Sequence, residues 1–123
     1  MEKKPEKSRI LIADDNEPNV ELLEAYLAGL DVETAVAVDG QDTLGKVVSF
    51  KPHLVLLDIM MPKLSGVGVV EMLRKENSPV LAHTYLLTAG DLHAVEELPV
   101  RGVIMKPFDI RALIAETRDC IGH

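Results

Sequence analysis

Leu54-Val55-Leu56-Leu57-Asp58 is the stretch that decides the fold of this 123-residue chain. The run is short, wholly apolar and partly β-branched, and it stops at a carboxylate, as expected of a strand covered on both faces at the centre of a parallel sheet. Upstream, Arg9 to Ala13 is a second apolar run, stopped by Asp14-Asp15. Glu17-Pro18 then opens a helical pattern through Val20, Leu23, Leu27 and Leu30, with proline near the start, where a helix tolerates it. Val32 to Val38 alternates as a strand, Asp39-Gly40 punctuates it, and Leu44, Val47 and Val48 fall on one helical face. Downstream, a loop with Pro62 and Gly66 leads to a helix near Val69 to Lys75. Strands follow at Tyr85–Thr88 and Val103–Met105, with a short helix within Asp91–Leu98 between them, and a last helix runs from Asp109 to about Ile121. In that last helix Ile110, Leu113, Ile114, Thr117 and Ile121 share a face.

Alternating strands and helices predict an α/β fold, a doubly wound, five-stranded parallel sheet with helices on both faces. Residues 1–8 read as a charged, solvated tail, and 9–123 as one domain. No apolar run approaches the ~20 residues of a membrane span, and the N-terminus lacks the apolar core of a secretory signal, so a cytoplasmic protein without membrane insertion is expected. A net charge of −7 with no Lys/Arg cluster argues against direct nucleic-acid binding. The lone Cys120 cannot form an internal disulfide, which suits a reducing compartment.

In open α/β sheets the ligand crevice lies beyond the carboxyl ends of the strands, and the candidate residues fall there: Asp14 and Asp15, Asp58, Thr88 and Lys106. Three carboxylates in one crevice repel one another unless protonated or neutralised. Mg²⁺, which takes a few carboxylate oxygens and leaves positions for phosphate, meets that need. Lys106 would offer a positive charge and Thr88 a hydroxyl to phosphoryl oxygens, with Asp58 the nucleophile that forms an acyl phosphate. Taken singly, Asp14-Asp15 or Asp58 could be helix caps, Thr88 a turn hydroxyl and Lys106 a snorkelling surface lysine. Acid, acid, hydroxyl and base at four strand ends outweigh those readings together.

Asp14-Asp15-Asn16, Leu56 to Pro62 with Gly66 eight positions past Asp58, Leu87-Thr88-Ala89 and Met105-Lys106-Pro107-Phe108 resemble the receiver domain of bacterial two-component response regulators, from about Arg9 to Ile121. The resemblance implies the flavodoxin-like strand order 2-1-3-4-5. It makes Asp58 the phosphoacceptor for a sensor histidine kinase or histidine phosphotransfer protein, and the domain a module that switches binding of a downstream protein, not a turnover enzyme. It also implies Mg²⁺ held by Asp15, Asp58 and the Met60 main-chain carbonyl, with Asp14 acting through water. Thr88 would be the switch hydroxyl, Lys106 the phosphate-binding lysine, and Lys106-Pro107 a cis peptide.

Two departures accompany the resemblance. The aromatic residue usual three positions before the lysine is here Val103. The spacing from Thr88 to Lys106 is about four residues short, which shortens the fourth helix; the two departures together set the domain apart from the family's common output face, and with no aromatic ring at Val103 the response is expected in the backbone of residues 89–102. A Mg²⁺-dependent phosphohydrolase with an aspartyl nucleophile is the alternative, but it usually places a second acid where Met60 stands. A flavin module would want a phosphate-cradling loop and aromatic stacking. The four histidines show no ligand spacing, and Gly45 and Gly68 within helices are read as close-packing positions.

Overall fold

The computed structural model describes residues 8–61, 63–89, 98–106 and 110–121. The expected fourth helix within Asp91–Leu98, the Lys106-Pro107 peptide, His93, His123 and the Cys120 side chain lie outside the described residues. Five strands, β1 (Ser8–Ala13), β2 (Val32–Ala37), β3 (Leu54–Asp58), β4 (Thr84–Thr88) and β5 (Gly102–Met105), form one sheet. Its order is β2-β1-β3-β4-β5, the order the resemblance implies, and every neighbouring pair is parallel with β3 central, as the apolar runs predict. Four α-helices are present among the described residues: α1 (Glu17–Leu27), α2 (Gly40–Ser49), α3 (Gly66–Lys75) and α4 (Ile110–Ile121). A 3₁₀ turn, Pro79–His83, precedes β4.

Strand alternation splits the core in two. Leu11, Ala13, Val55, Leu57 and Leu86 face one side and pack with Val69, Val70 and Leu73 of α3. Ile10, Ile12, Leu54, Leu56, Tyr85, Leu87 and Ile104 face the other and pack with Leu23 and Leu27 of α1 and Leu113 of α4. Burial on both faces is why β3 is apolar at successive positions instead of alternating.

Three local expectations are corrected. β1 begins one residue earlier than expected, at Ser8. On α2, Leu44 and Val47 pack against the core, but Val48 is 71% exposed. The inward stripe is centred on Gly40, Thr43, Leu44 and Val47, and at 3.6 residues per turn Val48 falls roughly 90° off it. Gly68 is a close-packing glycine, since a Cβ there would lie 2.5 Å from Leu64 Cδ1, whereas one at Gly45 would meet nothing within 4 Å.

Candidate functional site

β1 ends at Ala13, and Asp14 follows with its N–H bonded to the Ala37 carbonyl at 3.0 Å, which holds its backbone against β2. The Asp14 side chain turns inward and is wholly buried. Its Oδ1 accepts from the Asn16 N–H at 2.9 Å, while Oδ2 has no hydrogen-bond partner. Asn16 is the N-cap of α1, its Oδ1 accepting from Asn19 N–H at 3.0 Å, so the cap is neither aspartate.

Asp58 closes β3 and is also buried. Its Oδ1 accepts from the Met60 N–H at 2.9 Å, and its Oδ2 accepts from Lys106 Nζ at 2.9 Å. The cap of α3 is Ser65, through Gly68 N–H, so Asp58 does not serve there either. Thr88 is buried at the end of β4, and its carbonyl accepts from the Lys106 N–H at 2.7 Å, which seats the lysine one residue past β5. The Lys106 side chain is only 21% exposed and reaches inward, with Nζ 3.9 Å from Asp14 Oδ2; it is not a snorkelling surface lysine. Asp14, Asp15, Asp58 and Lys106 therefore converge, and Thr88 joins them through its main-chain bond to Lys106.

One carboxylate oxygen from each of Asp14, Asp15 and Asp58 lies within 4.8 Å of the others, a spacing that one cation can bridge. Burial, the largest influence, pushes the Asp14 carboxyl up to about 6, and the neighbouring Asp58 carboxylate adds to it, against the Asn16 N–H and Lys106. One ammonium does not neutralise three carboxylates. A buried oxygen without a donor among all-oxygen ligands suits a hard divalent cation such as Mg²⁺. Val103 is partly buried and packs against the core on the Leu11, Val55 and Leu86 side of the sheet.

Sequence reasoning missed two polar contacts at the amino-terminal edge of the sheet, opposite the site. The Tyr85 hydroxyl donates to Glu116 Oε2 at 2.5 Å and accepts from Arg101 Nε at 2.9 Å, joining β4 to α4. His53 is held by the backbone of β1: its Nδ1 accepts from Arg9 N–H at 2.9 Å and its own N–H donates to the Arg9 carbonyl at 2.7 Å. Neither was legible, because each depends on a partner more than 30 positions away.

The profile of the response regulator receiver domain matches residues 10–118. A probable transcriptional regulator, ycf27, of Cyanophora paradoxa is 36% identical over 116 residues, which is 94% of this chain and 48% of that protein. The DNA-binding response regulator MtrA of Mycobacterium tuberculosis H37Rv is 35% identical over 91% of this chain and 50% of its own length. The chain thus spans about half the length of these relatives. Among solved structures, the receiver domain of Francisella response regulator 1452 superposes with a TM-score of 0.82 at 24% identity, covering 93% of this chain and 96% of that one. The receiver domain of a Pseudomonas aeruginosa sensor histidine kinase, with a magnesium ion coordinated in its active-site cleft, gives 0.83 at 23% identity over 96% of this chain and all of that one. With its profile match and its sheet order, the chain belongs to the response regulator receiver domain family.

Proposed function

We propose that this chain is a phosphorylation switch of a two-component system, taking a phosphoryl group onto Asp58 from a phosphohistidine on a sensor kinase or phosphotransfer protein. The observation that carries the reading is the Asp58 carboxylate, bonded to Lys106 Nζ at 2.9 Å beside the Asp14 and Asp15 carboxylates. In the transfer, an Asp58 oxygen forms a bond to phosphorus as the phosphorus–nitrogen bond breaks, and the electron pair stays on the donor imidazole. The Lys106 ammonium neutralises charge on the transferred group, and the Thr88 hydroxyl donates to one of its oxygens, linking modification to the end of β4. Asp15, Asp58 and the Met60 carbonyl would hold Mg²⁺, with Asp14 through water; when bound, the ion offsets carboxylate repulsion and the charge of the phosphoryl oxygens.

The phosphorylated form changes affinity for a downstream protein, and the module acts in the cytosol. MtrA is named as DNA-binding; the receiver domain itself, with a net charge of −7 and no Lys/Arg cluster in its sequence, is poorly suited to neutralise phosphates and acts through protein contacts. Incubation with acetyl phosphate and Mg²⁺ should add one phosphoryl group by intact-mass measurement, lost in Asp58→Asn. Undiminished labelling of that variant would sink the assignment.

A further inference from the structure

The loop between β3 and α3 carries the Met60 carbonyl, and its two ends are fixed differently. At the start, Ile59 N–H donates to the Leu87 carbonyl at 3.2 Å, Met60 N–H donates to Asp58 Oδ1 at 2.9 Å, and Gly66 N–H returns to the Ile59 carbonyl at 2.9 Å. At the far end the fixed point is Leu64, seated between two glycines. A Cβ at Gly40 would lie 2.1 Å from the Leu64 carbonyl oxygen and 2.4 Å from its Cβ, and one at Gly68 would lie 2.5 Å from its Cδ1. Beside it, Lys63 adopts a left-handed φ of 66° and reaches Asp39 Oδ2 at 3.5 Å, next to Gly40. The glycine at position 40 is therefore required by an approach of backbone to backbone from another element, not by its own dihedral angles.

We propose that Gly40, at the head of α2, is a positioning residue for the metal site: by admitting Leu64 it sets the course of the loop and so the direction of the Met60 carbonyl. The inference rests on the Mg²⁺ reading above. Four residues separate Ile59 from Leu64, so a displacement of Leu64 passes into Met60 through a short span of chain. Mg²⁺ tolerates little departure from octahedral geometry, so a ligand carried on a shifted loop binds poorly. The three atoms nearest a Cβ at Gly40 all belong to Leu64, so its effect acts through Leu64.

Gly40→Ala tests this, with Gly45→Ala as control, because it makes the same change on the same helix where a Cβ meets nothing. Calorimetric Mg²⁺ titration should show an affinity about tenfold to a hundredfold weaker for Gly40→Ala, the range found when a group supporting a metal ligand is altered. Gly45→Ala should bind as wild type, and the double variant should regain stability in chelator while still binding weakly. The Met60 amide resonance should move in metal-free Gly40→Ala. Should Gly40→Ala fail to fold, Leu64→Gly, which empties the contact instead of overfilling it, should weaken binding in the same direction. Wild-type affinity in a folded Gly40→Ala protein, or in Leu64→Gly if only that folds, would overturn the inference and leave the metal reading standing; no Mg²⁺ binding by the wild type would overturn both.

Discussion

Asp14 holds a carboxyl group inside the protein with one oxygen lacking a donor, and that arrangement opposes folding whenever the group is ionised. Because its value is raised to about 6 from 3.8, the folded state binds the proton more tightly than the unfolded chain. Stability from this group is therefore lost as pH rises from about 4 to 6 and stays lost above, the reverse of a salt-bridged aspartate. Asp14→Asn keeps an acceptor for the Asn16 N–H and removes the charge. In chelator at pH 7.5 it should raise the unfolding free energy by ~1–3 kcal/mol, with the gain gone below about pH 4, measured by urea denaturation at both pH values. An unchanged midpoint at pH 7.5 would show that Lys106 already neutralises the group. At this scale the sequence was informative about identity and silent about partners. Strand-end position marked Asp14, Asp15, Asp58, Thr88 and Lys106, but that Asn16 caps α1 and that Oδ2 of Asp14 is orphaned follow from side-chain directions.

Among the elements, β4 and α4 are joined by a polar bridge on an otherwise apolar face. Tyr85 lies on the inward side of β4 with its ring in the core and its hydroxyl between Glu116 and Arg101, and Arg101 also pairs with Asp119 at 2.8 Å. Burial, followed by the Glu116 carboxylate, pushes the Tyr85 hydroxyl up to about 12. The folded state thus keeps this proton through a range in which the unfolded chain loses it, so stability contributed by the hydroxyl falls as pH rises from 10 to about 12. Tyr85→Phe should cost ~1–2 kcal/mol at pH 8, where a hydrogen bond to a charged group is lost, and the variant should be less sensitive than wild type to that alkaline range. Chemical denaturation at pH 8 and near pH 11 checks both; equal losses in the two proteins would mean that the hydroxyl is solvated. The strands and α-helices of the described residues were largely legible from apolar runs and periodicity, but α3 starts at Gly66, three residues before the expected Val69, and the 3₁₀ turn Pro79–His83 was not read at all. Val48 shows the limit: an i, i+3, i+4 trio includes a flank residue whenever the packed stripe is narrow.

For the whole molecule, three carboxylates gathered at the carboxyl ends of β1 and β3 make the apo fold carry a repulsion that a divalent cation relieves. Mg²⁺ should therefore raise the thermal midpoint, by the equivalent of ~2.7 kcal/mol at a hundredfold excess over Kd, and Asp58→Asn should reduce the shift. Equal midpoints for the wild type in saturating Mg²⁺ and in chelator would argue against a metal site. The sequence by itself determined the parallel α/β architecture, because strands buried on both faces must be apolar throughout and the intervening helices must show one apolar stripe. It also determined which residues stand at the strand ends, since the apolar runs stop there. Only the tertiary structure decided how those ends meet. Lys106 reaches Asp58 across 48 positions of chain, and Gly40 admits Leu64 from a separate element. Such contacts depend on sheet order, register and loop course, which arise from packing between distant segments and leave no period in the sequence.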